Sequence, residues 1–119
     1  MSSNEPGNED LQRIADIDRS IHAPARLMIL ALLAVIDSAD FTFLLTQTGL
    51  TRGNLSTHLG KLAEVGYIEI QKEFVENIPR TLIRLTDEGR AAIVAYRENM
   101  QQVVEQLLVV DGSNRQQKQ

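Results

Sequence analysis

The chain has 119 residues, of which 43% are hydrophobic, enough for one small domain with its own core. It contains no cysteine, which excludes disulfides, thiolate metal sites and cysteine nucleophiles. The formal net charge of −4 is unusual for a nucleic-acid-binding protein, but residues 51–62 carry Arg52 and Lys61 and no acidic side chain. No apolar signal segment or membrane-spanning stretch is evident, so we expect a cytoplasmic protein.

The chain termini are polar, and two helices are predicted in the first third of the sequence. We expect residues 1–9 and 111–119 to be disordered tails around a single domain at 10–110. Apolar residues recur at spacings of three and four and predict a first helix from Asp10 to Ile21, with Asp10 as its N-cap. The members of this stripe are Leu11, Ile14, Ile17 and Ile21. Pro24 suits the first turn of a second helix that reaches Ile36 and is apolar around most of its circumference, as expected of a central buried helix.

Two further helices, separated by a tight turn, are predicted in the middle of the sequence. Phe41-Thr42 is interpreted as a short strand, followed by a helix over Phe43–Thr48 that ends at Gly49. Thr51 is a good N-cap for the next helix, predicted from Arg52 to Val65. The two helices and the turn between them predict a helix-turn-helix.

The hydrophobic period changes from helical to alternating after this helix. Tyr67–Phe74 and Arg80–Leu85 alternate and predict two strands, joined by a turn at Glu76–Pro79. Thr86 is a candidate N-cap for a long last helix that should reach about Val110. The predicted fold is α+β and mostly helical: a winged helix-turn-helix with a β-hairpin wing and a long C-terminal dimerisation helix.

The helix that follows Thr51 carries the candidate functional surface. Leu55, Leu59 and Leu62 recur at core spacing, so the opposite face is small and polar. We predict that Asn54, Ser56 and Thr57 contact base edges. Arg52 and Lys61 are better placed for phosphates, and Arg80 is the candidate contact in the wing. A solvent-exposed polar helix without a ligand is the alternative, and the hairpin that follows directly favours DNA.

Metal, cofactor and catalytic sites are not indicated by the sequence. His58 lies beside the apolar stripe of its helix and is interpreted as a half-buried histidine that makes one hydrogen bond. No His, Asp or Glu cluster has ligand spacing, and no nucleophile–base pair or phosphate-binding loop is present. We therefore expect no metal, no cofactor and no enzymatic activity.

The last predicted helix has a long apolar seam. Its residues repeat at spacings of three and four, which is the a/d pattern of packed helices. The predicted dimer interface combines this seam with two residues of the first helix: Leu11, Ile14, Ile93, Tyr96, Met100, Val103 and Leu107. One wing domain has little core left to cover such a stripe, so a homodimer is favoured over packing within one chain. Two-fold symmetry would then set two recognition helices about 34 Å apart on an inverted-repeat operator.

The stretch from Ile21 to Val104 resembles the winged-helix regulators of bacteria and archaea related to MarR-like and ArsR-like proteins. LTRGNLSTHLGKLAEVGYIE (50–69) carries most of the resemblance, and PRTLIRLTDEGR (79–90) is nearly as specific. The resemblance implies a dimer that regulates transcription on promoter DNA, most simply as a repressor. It assigns Arg52, Asn54, Ser56, Thr57 and Lys61 to the groove helix and Arg80 to the wing.

Two departures from this family pattern leave alternatives open. The wing tip reads Glu76-Asn77-Ile78 where such wings often carry basic residues, which also allows a protein–protein interaction module that does not bind DNA. The cysteine or His/Asp clusters of ArsR-like metal sensors are missing from this sequence. A small-molecule effector could bind between the wing domain and the dimer helices. The sequence identifies neither this effector nor the operator, the regulated genes or the sign of regulation.

Overall fold

A computed structural model describes residues 8–108 of the chain. Its elements follow the predicted order: α1 (Asn8–Ala15), α2 (Pro24–Ile36), β1 (Ser38–Asp40), α3 (Phe41–Thr48), α4 (Arg52–Glu64), β2 (Ile68–Val75), β3 (Ile78–Leu85) and α5 (Asp87–Leu108). Asn8 and Glu9 belong to α1. The rest of the two predicted tails, and the predicted end of α5 at Val110, lie outside the described residues.

The chain divides into two compact units. The larger unit is Arg19–Ile93 and contains the helix-turn-helix and the hairpin. In the described part of the chain, the smaller unit combines residues 8–18 with residues 94–108, so α5 contributes to both units.

The core of the larger unit is apolar and lies between three helices and a small sheet. Helix α2 contacts α3, α4 and two strands, as expected for the predicted central helix. The side chains that are at most 2% exposed in this unit come from every layer: Ile21, Ile29, Leu30, Leu33, Leu44, Leu55, Leu59, Leu62, Ile68 and Ile83. Each buried leucine or isoleucine stabilises the fold by about 1.5–3 kcal/mol relative to an exposed one.

The sheet is antiparallel with the order β1-β3-β2, and its hairpin is tighter than predicted. Glu76 and Asn77 have φ values of 52° and 66°, as in the two-residue turns that match strand twist, and asparagine tolerates this conformation well. Ile78 and Pro79, predicted in the turn, therefore belong to β3 and pair with Val75 and Phe74.

The first strand of the sheet is displaced from its predicted position. Phe41 and Thr42 are helical, and the strand is Ser38–Asp40 instead. The Asp40 carboxylate accepts a 2.7 Å hydrogen bond from the Phe43 amide and so caps α3 two residues earlier than expected. The residues immediately before α3 form the strand because they pair with β3, with Ala39 opposite Ile83.

Helix α1 is shorter than the predicted helix over Asp10–Ile21. It ends at Ala15, and Asp10 lies in its first turn instead of at the N-cap. Asp16 and Asp18 follow the C-terminus, where negative charge opposes the helix dipole. Ile21 is only 1% exposed and belongs to the core of the larger unit. Its side chain is therefore buried there instead of continuing the apolar stripe of α1.

The predicted caps around the helix-turn-helix are confirmed. Gly49 ends α3 in the left-handed region with φ 70°, and its amide donates to the Leu45 carbonyl at 3.1 Å. The Thr51 hydroxyl accepts from the Asn54 amide at 3.1 Å and begins α4, which ends at Glu64 with Val65 as the C-cap. These caps fix both ends of the turn that positions α4.

Candidate nucleic-acid interface

The outer face of α4 is exposed, as the apolar period predicted. Leu55, Leu59 and Leu62 are 0%, 2% and 0% exposed and hold the helix against the core. Gly53 and Thr57 lie on the opposite face and are open to solvent in the single chain. This face is therefore not packed against the other described residues of its own unit.

Helical geometry divides the predicted DNA-binding residues of α4 between two flanks and a centre. At about 100° per residue, Arg52 and Ser56 fall on one flank, and Asn54 and Lys61 on the other. Thr57 lies between the flanks, and its hydroxyl donates to the Gly53 carbonyl at 2.9 Å. The Thr57 oxygen thus presents only acceptor lone pairs outward.

The flank with Arg52 and Ser56 borders a cleft between α4 and the hairpin. The cleft has a volume of about 380 Å³. Its lining comprises Phe41, Arg52, Ser56, Leu59, Ile70, Lys72 and Thr81. The Arg52 guanidinium lies 5.8 Å from the centre of the Phe41 ring, within cation–π range, which orients it at the cleft. Polar groups from the helix and the hairpin therefore converge on one concave surface.

Lys72, Thr81 and Phe41 were not among the predicted site residues. Lys72 alternates in phase with Ile68 and Ile70, which was visible in the sequence. The alternation alone does not show what this face of the hairpin contacts. The structure shows it: the strand register pairs Lys72 with Thr81, and both side chains line the cleft beside α4.

Arg80, the predicted wing contact, lies on the other face of the hairpin from Lys72. Its Nε atom is 3.7 Å from an Asp40 carboxylate oxygen and 3.9 Å from a Glu73 carboxylate oxygen. Two further ion pairs join Arg84 to Glu69 and Arg90 to Asp37. Within residues 8–108, Arg52, Lys61 and Lys72 form no ion pair, so their charges are available to an anionic ligand.

His58 joins α4 to α2 through one hydrogen bond, as predicted. Its Nδ1 lies 3.2 Å from an Arg26 guanidinium nitrogen, and Arg26 also donates to the Arg19 carbonyl at 3.1 Å. Because arginine only donates, His58 Nδ1 must accept, and the neutral ring carries its proton on Nε2. Burial, followed by the positive charges of Arg26 and Lys61, lowers the pKa of His58 below 6.5.

The predicted dimer residues differ in how far the single chain already covers them. Leu11, Ile14 and Leu107 are 53%, 40% and 58% exposed, whereas Val103 is only 6% exposed. Ile93, Tyr96 and Met100 are half-buried. In the smaller unit, the Asn99 amide donates to the Arg13 carbonyl at 2.9 Å and ties α1 to α5. The seam therefore remains partly open at Leu107 and at the two residues of α1.

Comparison with known proteins identifies the family. Residues 25–104 match the family described as winged helix DNA-binding domain. The chain belongs to this winged helix DNA-binding family. The match includes α4, the cleft and the hairpin, and it confirms the fold and the family resemblance expected from the sequence.

Proteins similar in sequence or fold to this winged helix occur in archaea and bacteria. It is 39% identical over 71 residues to an uncharacterized protein of Methanocaldococcus jannaschii, a match over 60% of this chain and 77% of that protein. A transcriptional regulator homologue from Pyrococcus horikoshii has 27% identity and a TM-score of 0.75 over 83% of this chain and 97% of its own. A MarR-family regulator from Silicibacter pomeroyi, at 19% identity and a TM-score of 0.55 over 92% and 77% of the chains, shares the fold.

The matched family is described as a DNA-binding domain and the Pyrococcus horikoshii neighbour as a transcriptional regulator homologue, and neither is a class of enzyme, as expected for this chain. Among residues 8–108, no three His, Asp or Glu side chains group as metal ligands would. No helix in that part of the chain has the length and apolar character needed to cross a membrane.

Proposed function

We propose that this winged helix is a sequence-specific transcription regulator that inserts α4 into the major groove of DNA. The observation that carries the proposal is the outer face of α4, which is exposed, small and free of acidic residues from Thr51 to Lys61. A recognition helix must bring such a face close to base edges, and a bulky or acidic face would prevent that approach.

The two flanks of α4 suggest distinct roles for its residues. Asn54, Ser56 and Thr57 reach base edges, because their side chains are short hydrogen-bonding groups on the exposed surface. Arg52 and Lys61 bind phosphates on either side. Lys72 joins Arg52 across the cleft, so one DNA strand can lie between α4 and the hairpin.

Arg80 remains a candidate DNA contact in the wing. It would have to leave Asp40 and Glu73, or share its charge with them, to bind a phosphate. We therefore assign it a smaller contribution than Arg52 or Lys61.

The active form in this proposal is a homodimer on an inverted repeat. The partly exposed seam formed by Leu11, Ile14 and Leu107 supplies apolar surface for a second copy. Recognition helices about 34 Å apart would then read two half-sites. A dimer bound at a promoter excludes the transcription machinery from it, so repression is the simplest outcome. A small-molecule effector would act by changing the spacing of the two recognition helices.

The proposal is tested with duplexes selected by the protein from a random pool. Arg52→Ala and Lys61→Ala should weaken binding to all duplexes and lower the slope of log affinity against log salt by about one each. Asn54→Ala and Thr57→Ala should instead reduce discrimination between the selected duplex and a scrambled one.

Arg84→Ala is the matched control, because it removes an exposed arginine on the far face of the hairpin, where Arg84 pairs with Glu69. It should bind DNA like the parent. Variants of α4 that bind as well as this control would contradict the assignment of the interface.

A protein–protein interaction module is the second candidate function. The net charge of −4 and the uncharged Asn77 and Ile78 at the wing tip favour it. It predicts no DNA affinity even at low salt, together with a stable complex with another protein.

A further inference from the structure

The wing tip is apolar and exposed. Phe74, Val75 and Ile78 are 75%, 43% and 64% exposed, and Pro79 pairs with Phe74. Glu76 is the only charged residue between Phe74 and Pro79. A hairpin that binds phosphates presents Lys or Arg at its tip. This tip lacks both, so it is suited to a surface other than the phosphate backbone.

Strand alternation places Phe74 on the same face of the hairpin as Lys72. Side chains two residues apart in a strand share a face, and Lys72 lines the cleft beside α4. Phe74 lies about 7 Å further along the strand, at two residues of about 3.4 Å each. Moving outward from α4, the protein therefore presents a polar helix face, a cleft with cations and then an apolar tip.

This order matches the order of features across one strand of B-DNA. A single sugar-phosphate strand separates the major groove from the neighbouring minor groove. With α4 in the major groove and that strand in the cleft between Arg52 and Lys72, the tip reaches the minor groove.

We propose that Phe74, supported by its cross-strand neighbour Pro79, is an apolar wedge that enters the minor groove and partly unstacks a base step. The inference rests on the proposed DNA-binding function and adds a mode of recognition to it. Apolar side chains inserted in this way kink the duplex by about 20–90° toward the major groove. The tight turn at Glu76-Asn77 holds the wedge on a short, regular hairpin, so little of its conformational freedom is lost on binding.

The wedge also gives a specificity that needs no hydrogen bond to a base. Pyrimidine–purine steps such as TA and CA are the easiest to unstack and kink. Duplexes selected by the protein should therefore carry such a step on the minor-groove side of each half-site, next to the bases that α4 reads.

The test uses a duplex selected from a random pool, labelled in two ways. Fluorophores at its ends report bending by energy transfer, and 2-aminopurine scanned through the minor-groove flank of a half-site reports unstacking. Binding of the parent protein should bend the duplex and raise the 2-aminopurine signal at one step. Phe74→Ala should remove both signals and lower affinity by about tenfold or more, because burial of a phenyl ring is lost. The salt dependence should stay the same, because no phosphate contact is removed.

Two further variants separate the wedge from a general effect on the fold. Phe74→Leu keeps an apolar side chain that can still enter between bases, so it should retain most of the bend. Val35→Ala shortens an apolar residue of α2 that is 82% exposed and should behave like the parent.

The outcomes distinguish the wedge from the function on which it rests. If the parent binds no DNA at low salt, both proposals are wrong. If the parent binds the duplex but Phe74→Ala keeps the bend and the 2-aminopurine signal, the wedge is wrong and the regulator proposal stands. If Phe74→Ala changes only the sedimentation of the free protein, the tip is a contact between copies of the chain, which also overturns the wedge.

Discussion

Replacing Gly60 by alanine separates the folding cost of this residue from its contribution to DNA binding. Gly60 lies within α4, and a Cβ atom added there meets no atom within 4 Å apart from its chain neighbours and the nearby backbone of its own helix. Its φ angle is not positive, so alanine is not strained. Glycine inside a helix costs about 1 kcal/mol relative to alanine. Gly60→Ala should therefore stabilise the protein by about 1 kcal/mol, which raises Tm by about 4 °C in a chain of this size.

Gly89→Ala is the control, because the same chemical change should have the opposite effect there. A Cβ at Gly89 would overlap the Tyr67 carbonyl oxygen and lie 2.9 Å from Leu85 Cδ1, so the start of α5 would have to shift. Overpacking of this kind costs about 1–3 kcal/mol. Thermal and urea unfolding of both variants measure whether each substitution raises or lowers the free energy of unfolding. A Gly60→Ala variant no more stable than the parent would refute the open, solvent-facing position assigned to this residue.

DNA titration of Gly60→Ala measures the effect of the added methyl group on DNA affinity. If the helix backbone approaches the groove at Gly60, the added methyl group should weaken binding although the fold is more stable. Unchanged affinity would limit the close approach to the first turns of α4, around Gly53.

Two predictions concern α4 and the dimer seam. Because burial, Arg26 and Lys61 lower the pKa of His58, its neutral form should stabilise the fold at pH values above the unfolded pKa of 6.5, and this contribution should be lost as pH falls through the lowered folded pKa. Urea unfolding from pH 7.5 to 5 should thus depend less on pH in His58→Gln, and equal pH dependence in the two proteins would contradict a lowered pKa of His58 in the folded state. Leu107→Glu places a charge on the exposed part of the seam and should convert the proposed dimer to a monomer in sedimentation velocity, while Gln101→Glu, off the seam, should not. A Leu107→Glu variant that stays dimeric would move the interface elsewhere.

The predictions from sequence were accurate where the signal was local. Helix α2 has the predicted bounds, and Gly49 and Thr51 cap the turn as expected, because proline, glycine and threonine act through their own backbone geometry and hydrogen bonds. Strand β1 was misplaced because its pairing with β3 is a tertiary contact, through Ala39 and Ile83, that no local pattern records.

The same distinction applies to the candidate interface. The outward face of α4 followed from the spacing of three leucines, which is a property of one helix. The cleft did not, because Lys72 reaches it only through the strand register and the packing of the hairpin beside α4. The Asp40 carboxylate beside Arg80 was missed for a similar reason, since Asp40 is distant in sequence and approaches only in the folded sheet.

Chemical-shift mapping measures most directly whether α4 is the surface that binds DNA. The ¹⁵N-labelled protein is titrated with a selected duplex and, in parallel, with a scrambled one. Insertion of α4 into the major groove predicts that the largest changes fall in residues 51–61 and in residues 72–81 of the hairpin. Changes confined to α1 and the second half of α5, with α4 unaffected at saturation, would contradict it.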